Sequence, residues 1–309
     1  MKDLKVIFMG TPVFSVPILT ELIANCNVIM VVSAPDAFIG RKKILTPCPI
    51  KKLALAHGIK VFTPEKIRTN YEPLKEANPD IIITCAYGQI VPQEVLDIPR
   101  LGCINIHASL LPKYRGGAPI HHAIMNGDSE TGITLMYMDK GMDTGDIIKK
   151  EVVSIEPNDM LDTLSNKLSA LGAKIIIEEL PNIINGTNER IKQNDEEATV
   201  ANLIKREHEH LDFSKTKEEV YNLIRALSPR PYPYFIVDGL EYKIVEARKT
   251  DATGKVGTII EVAKDYFVIM CANGGIKVTK IKPFGKTIML VSDYFNGFKK
   301  ETLVGKEVR

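Results

Sequence analysis

Cysteine is scarce in this chain of 309 residues, and its spacing excludes two common kinds of site. The five cysteines are Cys26, Cys48, Cys85, Cys103 and Cys271. An odd number without a Cys-x-x-Cys pair predicts neither a disulfide framework nor a zinc site. His121 and His122 are adjacent, and no second His or carboxylate stands at ligand spacing from them, so we predict no metal site.

The chain also lacks long apolar runs and the usual nucleotide-binding motifs. No run approaches the roughly 18 apolar residues that a membrane-spanning helix needs. Residues 1–5 lead directly into a strand-like 6–8, which leaves no room for a signal peptide, so we expect a cytoplasmic protein without a membrane partner. Gly10-Thr11-Pro12 has neither the glycines of a dinucleotide site nor the lysine of a P-loop, which argues against a Rossmann-type cofactor.

Net charge is small but unevenly distributed. It is +2 for the whole chain, made up of −3 over residues 1–200 and +5 over residues 201–309. Positive charge gathered in one part of a chain favours contact with a polyanion. A solvated lysine-rich surface would give the same count, so the charge alone leaves a nucleic-acid partner open.

The first two-thirds of the chain alternates apolar runs with amphipathic segments. The expected strands are residues 5–8, 28–33, 60–62 and 81–85, and the expected helices are residues 13–24 and 50–56. Continuous apolar strands between helices predict an α/β fold with a Rossmann-like, mostly parallel sheet. Because ligands bind beyond the carboxyl ends of such strands, Gly10, Tyr87, Gly88 and the loop after His107 should line one crevice.

The rest of the chain predicts a long helical region, a linker and a second domain. Residues 160–184 have helical spacing interrupted by Gly172, which indicates one long helix or two abutting helices. The polar residues 182–205 indicate a linker, and a helix is expected at 217–226. Short apolar runs then predict a small β-barrel; they are residues 241–247, 256–262, 266–271 and 276–281. We place a catalytic domain at 1–189, a linker at 190–208 and a second domain at 209–309.

Asn105, His107 and Asp143 form the candidate catalytic set. Asn105 and His107 lie two residues apart in an apolar strand, so their side chains share one face. Asp143 follows His107 by 36 residues, in a glycine-flanked turn. An amide can hold an oxyanion, an imidazole can move a proton and a carboxylate can orient it. None is a nucleophile, which favours direct transfer of a group. Taken singly, His107 could be an ordinary polar residue and Asp143 an Asx-turn residue.

Two motifs surround this set, Ile-Asn-Ile-His-Ala-Ser-Leu-Leu-Pro from residue 104 and Gly-Met-Asp-Thr-Gly-Asp from residue 141. With them the chain resembles the folate-dependent formyltransferases, and the resemblance includes residues 8–12, 86–92 and 283–286. It implies that the set is the catalytic triad and that 10-formyltetrahydrofolate is the formyl donor, with no metal in the chemistry. The folate contacts that it implies are Tyr87, Gly88, Gln89, Ile90, Ser109, Leu110, Leu111 and Pro112.

The full-length coverage favours the branch of the family that formylates initiator methionyl-tRNA. It implies an OB-like C-terminal domain that binds tRNA, and we expect a monomer. A basic loop at residues 40–43 would meet the acceptor stem, where phosphate contacts give affinity without reading sequence. On its own, this cluster would be a solvated loop. The implied acceptor-side residues are Gly10, Thr11, Pro12, Phe14, Arg41, Lys42 and Lys43, with Phe14 against the methionyl side chain.

Three other functions are compatible with parts of this pattern. A sugar-nucleotide amine formyltransferase would share the triad, the folate loop and a similar C-terminal domain. A hydrolase with the same core would pass the formyl group to water. A folate-binding module without turnover is disfavoured, because the complete triad would then be idle.

Overall fold

The protein forms two compact units in a computed structural model that describes residues 1–40, 42–296 and 300–309. The first unit contains Met1–Pro119, Glu130–Ser154 and Ser165–Asn202. The second contains Ile120–Ser129, Ile155–Leu164 and Leu203–Arg309. Two short segments from the middle of the sequence therefore pack with the C-terminal part of the chain.

A seven-stranded sheet organises the first unit, in the order β5-β2-β1-β6-β7-β8-β9. The strands of this unit are β1 (Lys5–Gly10), β2 (Asn27–Val32), β3 (Ala37–Ile39), β4 (Ile44–Thr46), β5 (Val61–Phe62), β6 (Ile81–Cys85), β7 (Cys103–His107), β8 (Glu130–Tyr137) and β9 (Ile147–Ser154). From β5 to β7 all neighbours are parallel, whereas β8 and β9 are antiparallel to theirs. The mostly parallel sheet is confirmed, and its apolar runs are buried because helices cover them.

Register places the ends of three strands side by side. Gly10, at the end of β1, pairs with Cys85, at the end of β6. Thr84 of β6 pairs with Asn105 of β7, and β7 ends two residues later at His107. Because parallel strands all point the same way, the segments that follow them leave from one edge of the sheet.

Helices connect and cover the strands. They are α1 (Val16–Asn25), α2 (Pro49–Ala56), α3 (Glu72–Ala77), α4 (Gln93–Leu96), α5 (Pro119–Met125), α6 (Leu161–Asn185), α7 (Lys217–Ala226) and α8 (Val291–Phe295). The region around Gly172 is one helix, α6, rather than two. A Cβ at Gly172 would lie 3.0 Å from Ile106 Cγ2, so glycine lets α6 pack closely on β7. Within the described parts of the chain, no helix is long and apolar enough to cross a membrane.

The second unit contains an antiparallel sheet that closes on itself. Its strands are β10 (Tyr234–Val237), β11 (Leu240–Thr250), β12 (Ile259–Val262), β13 (Phe267–Cys271), β14 (Gly274–Pro283) and β15 (Met289–Leu290), ordered β10-β11-β14-β13-β12 with β15 on β14. Arg309 exchanges two backbone hydrogen bonds with Ile236 of β10, and Glu307 bridges to Thr258 just before β12. The last residues thus join the two edges of the sheet, which confirms the small β-barrel.

Two segments differ from the sequence prediction. Residues 182–185 are the last turn of α6 rather than linker, and the polar chain that follows is bonded to the first unit. The connection after β2 contains a hairpin, β3–β4, that the sequence did not predict. Its apolar side chains are 55–69% exposed; they are Phe38, Ile39, Ile44 and Leu45. These residues do not pack on a core, so their order along the chain lacks the periodicity that predicts a half-buried strand.

Candidate active site

Asn105, His107 and Asp143 meet at the ends of β6 and β7. Asn105 Nδ2 donates to Asp143 Oδ1 at 3.2 Å. His107 Nδ1 lies 3.6 Å from Asp143 Oδ2, and the two side chains are 6% and 15% exposed. The structure therefore brings the three predicted side chains together in a poorly solvated place, where charge–charge and charge–dipole interactions are strong.

The carboxylate of Asp143 is fixed by two donors from different parts of the chain. Besides the Asn105 amide, the backbone N–H of Gly116 donates to Asp143 Oδ2 at 2.8 Å. The backbone of Asp143 has φ 57°, in the left-handed region. A residue with a side chain occupies that region only where its surroundings hold it. The turn thus directs the carboxylate at Asn105 and His107 instead of into solvent.

A backbone carbonyl orients the imidazole of His107. His107 Nε2 lies 2.9 Å from the carbonyl oxygen of Tyr114. A carbonyl only accepts, so Nε2 carries a proton and Nδ1 is the nitrogen that can gain or lose one. Sequence reasoning gave the orienting role to Asp143; in the structure Tyr114 makes that hydrogen bond and Asp143 faces the other nitrogen.

Thr84 fixes the amide of Asn105 and was missed in the sequence. Its Oγ1 lies 2.9 Å from Asn105 Oδ1, closer than its two other acceptors, the Met138 sulfur at 3.2 Å and the Ile104 carbonyl at 3.3 Å. Because the hydroxyl donates to Oδ1, the amide nitrogen faces Asp143 and keeps a second N–H for another acceptor. The only sequence signal is one hydroxyl in the otherwise apolar Ile81–Cys85.

The loop after His107 is held by its own polar atoms and by Thr134 of β8. Thr134 Oγ1 donates to the Ser109 carbonyl at 2.6 Å and accepts from the Leu111 N–H at 3.1 Å. The Ser109 hydroxyl donates to the Lys113 carbonyl. Ser109 and Leu111 are fully buried, so these two predicted folate contacts shape the loop. Of the four predicted loop residues, Leu110 and Pro112 keep partly exposed surface.

In the segment after β6, some of the predicted folate contacts are likewise buried or bonded to the protein, and others are exposed. Gln89 Oε1 accepts from the Ile67 N–H at 2.8 Å, and its Nε2 donates to the Pro64 carbonyl at 3.2 Å, so its amide ties two loops together. Tyr87 is 6% exposed, and burial raises its pKa to about 12. The exposed members of the four predicted contacts are Gly88 and Ile90.

The predicted acceptor-side residues fall into two groups. A Cβ at Gly10 would lie 2.9 Å from the Cys85 carbonyl, so only glycine fits there. Thr11 Oγ1 donates to the Tyr87 carbonyl at 3.2 Å, which joins the ends of β1 and β6, while Pro12 and Phe14 are half-buried. The remaining predicted residues are Lys42 and Lys43, exposed in the β3–β4 hairpin, and Arg41, which lies outside the described residues.

The described residues contain no candidate metal site. In them, no three His, Cys, Asp or Glu side chains lie close enough together to hold an ion. His121 is half-buried, and burial, with a smaller contribution from His122, lowers its pKa to about 4. That side chain is therefore a neutral packing residue at neutral pH.

Known proteins match this chain over nearly its whole length. The formyl transferase profile matches residues 4–180, and the profile of the formyl transferase C-terminal domain matches residues 203–299. The methionyl-tRNA formyltransferase of Macrococcus caseolyticus is 46% identical over 303 residues, covering 97% of each chain. That of Bacillus cereus is 48% identical over 304 residues, covering 96% of this chain and 97% of its own.

A solved structure shows the same fold at lower identity. The N-formyltransferase from Helicobacter canadensis, in complex with folinic acid and dTDP-3-aminofucose, has a TM-score of 0.68 and 24% identity and covers 91% of this chain and 100% of its own. With one profile over more than half of its length and relatives that align almost completely, this chain belongs to the formyl transferase family.

Proposed function

We propose that this chain transfers a formyl group from 10-formyltetrahydrofolate to the α-amino group of initiator methionyl-tRNA, in translation initiation. The observation that carries the proposal is 46–48% identity to two methionyl-tRNA formyltransferases over nearly the whole chain. We place the protein in the cytoplasm and expect it to act as a monomer.

The triad suits the charge changes of this transfer. Formyltetrahydrofolate supplies an electrophilic carbon, and attack by a neutral amine moves negative charge onto the formyl oxygen. The free N–H of Asn105 Nδ2 and a protonated His107 are the donors that would stabilise this oxygen. Removing one such donor typically costs about 2.7–4 kcal/mol of barrier. Asp143, next to Nδ1, would balance the imidazolium charge and help to pass a proton, through water, to the leaving nitrogen.

The proposed folate site lies where β1, β6 and β7 end. It consists of Tyr87, Gly88, Gln89, Ile90, Ser109, Leu110, Leu111 and Pro112. The exposed Ile90 and half-buried Leu110 offer apolar surface, which suits the flat ring of a folate. The buried members of the set would keep the two loops in shape.

The proposed tRNA contacts lie on the hairpin and in the C-terminal part of the chain. Lys42 and Lys43 are exposed between β3 and β4, next to the exposed apolar side chains of these strands. Residues 209–309, the predicted second domain, hold most of the positive excess and would be the tRNA-binding domain. Together these features favour a large anionic acceptor over a small one.

Competition among acceptors tests the assignment. The protein is incubated with 10-formyltetrahydrofolate labelled in the formyl carbon, together with methionyl-tRNA and a dTDP-amino sugar in water. We expect the label on methionyl-tRNA. Label on the amino sugar would support the sugar-nucleotide function, and labelled free formate would support the hydrolase; either result would overturn the proposal.

A further inference from the structure

The polar segment after α6 is bonded to the turn that carries Asp143. Gln193 Nε2 donates to the carbonyl of Asp143 at 2.8 Å and to that of Gly145 at 2.9 Å. We propose that Gln193 is a positioning residue that holds this turn, so that the Asp143 carboxylate reaches Asn105 and His107. The inference rests on the proposed function for its rate effects but not for its structural test.

Arg115 determines which way the amide of Gln193 points. Its Nε and Nη2 both donate to Gln193 Oε1, at 3.1 and 2.9 Å. A guanidinium has donors only, so the oxygen of the amide must face Arg115 and both N–H groups are left for the two carbonyls. Arg115 is 9% exposed, and its Nη2 also pairs with Asp195, which is 82% exposed.

Three consecutive residues connect this arrangement to the rest of the site. The carbonyl of Tyr114 accepts from His107, the side chain of Arg115 holds Gln193, and the N–H of Gly116 donates to Asp143. One short stretch of backbone therefore positions both the imidazole and the carboxylate, and Gln193 completes the link between that stretch and the Asp143 turn.

Residues 199–201 in turn fix that backbone. The N–H of Arg115 donates to the Thr199 carbonyl at 2.8 Å, and the Ala201 N–H donates to the Arg115 carbonyl at 2.7 Å. Thr199 Oγ1 accepts from the Tyr114 N–H at 2.8 Å. A Cβ at Gly116 would lie 2.8 Å from the Ala201 carbonyl, so the two segments touch where only glycine fits.

Within the Asp143 turn, Asp139 Oδ1 accepts from the Gly141 N–H and from the Thr144 hydroxyl, and Gln193 adds the hydrogen bonds that tie the turn to another segment. Glycines at 141 and 145 flank the turn, and Asp143 itself has φ 57°. Catalytic groups must be held within about 0.5 Å of their working positions. A displacement of about 1 Å can reduce turnover by roughly 10²-fold.

Gln193→Met tests the inference, because it keeps the length of the side chain and removes the amide. We expect kcat to fall by about 10- to 100-fold, with KM for folate and for methionyl-tRNA within about threefold of wild type. Asn194→Ala is the matched control. Among the described residues, Asn194 bonds to Glu196 and Glu197 of its own turn and not to the Asp143 turn, so its loss should leave kcat unchanged.

Hydrogen exchange gives a readout that does not depend on the acceptor. In Gln193→Met the amide of Gly116 should lose protection, because its acceptor is the carboxylate of Asp143, whereas the Ala201 amide should keep its protection. Combining Gln193→Met with Asp143→Ala should cost no more kcat than Asp143→Ala alone, since both act through one carboxylate.

Several outcomes would overturn the inference without touching the proposed function. They are wild-type kcat and Gly116 protection in Gln193→Met, an equal loss of kcat in Asn194→Ala, or additive losses in the double variant. If Gln193→Met does not fold, the Arg115→Lys variant is tested in its place. Lysine keeps the positive charge but lacks the two guanidinium nitrogens that both donate to Gln193 Oε1. Wild-type kcat and Gly116 protection in that variant would equally contradict the inference.

Discussion

His107 keeps its Nε2 proton on the Tyr114 carbonyl, so replacing the ring deletes a proton carrier and takes the imidazole partner from that carbonyl and from the Asp143 carboxylate. We expect His107→Ala, Asp143→Ala and Asn105→Ala each to lower kcat by about 10²-fold or more, because each acts on charge that develops in the transition state. Single-turnover formylation measures this, and calorimetry should find folate affinity nearly unchanged. Retention of more than about a tenth of the rate by all three, under about 1.4 kcal/mol of barrier, would contradict the mechanism.

Cys48 caps the N-terminus of α2 with a weak acceptor. Its Sγ accepts from the Lys51 N–H at 3.4 Å, in an extended backbone conformation that suits an N-cap. Serine is a preferred N-cap residue, so Cys48→Ser should raise the free energy of unfolding by up to about 1 kcal/mol, and Cys48→Ala should lower it. Urea unfolding followed by circular dichroism measures both. The formylation rate should not change in either variant, and its abolition would indicate a role for the thiol in the chemistry.

At the scale of single residues, the sequence predicts which side chains form the site, but not which backbone groups hold them in place. Strand periodicity puts Asn105 and His107 on one face, and the glycine-flanked turn marks Asp143. The Tyr114 carbonyl and the Gly116 N–H have no side-chain signature, because every residue carries a similar backbone. Gln193 lies 50 residues from Asp143 in a polar segment, and sequence patterns do not reveal a pairing at that separation.

Among the helices and strands, the bounds predicted from the sequence agree best with the structure in buried segments. The strand Ile81–Cys85 and the helix Lys217–Ala226 were predicted with the bounds that the structure has. Both carry a clear signal: the strand is apolar throughout, and a capping box of Thr216 and Glu219 starts the helix. The β3–β4 hairpin was missed because its apolar residues face solvent. The segment after α6 is polar, which predicts a linker; its Gln193 and Thr199 side chains bond to backbone groups of the first unit, and such pairings leave no pattern in the sequence.

His121, in α5, makes stability depend on pH. Its folded-state pKa is about 4 and its ordinary value is 6.5, so the unfolded chain binds a proton between these values while the folded chain does not. Stability should therefore fall as pH drops from about 6.5 to 4, and His121→Gln should lose less over that range. Urea midpoints at pH 7.5 and pH 5 measure the difference. His57→Gln, at an exposed position, is the control and should behave as wild type; an unchanged pH response in His121→Gln would contradict the burial of a neutral imidazole.

At the scale of the whole molecule, the uneven charge predicts that affinity for the acceptor depends on salt concentration. Log affinity for methionyl-tRNA should fall with log salt at about 0.7–0.9 per phosphate contact, and folate affinity should fall far less. Replacing Lys42 and Lys43 by Gln should weaken tRNA binding and reduce this slope, yet leave folate binding intact. Lys174→Gln is the control, since Lys174 is exposed on α6 with Glu178 as its partner. A flat salt response together with wild-type use of methionyl-tRNA by the double variant would remove the support for tRNA contacts at the hairpin.

The pairing of Arg115 with Thr199 and Ala201 also decides where this chain can be recombined with its relatives. A chimaera joined at residue 189 would receive residues 199–201 from the donor, and the side-chain bond between Thr199 and the Tyr114 N–H would then depend on the donor's sequence. A junction after Asn202 keeps the native pairing. Residues 120–129 and 155–164 pack with the second unit, so an exchange of that unit has to carry three separate pieces of sequence.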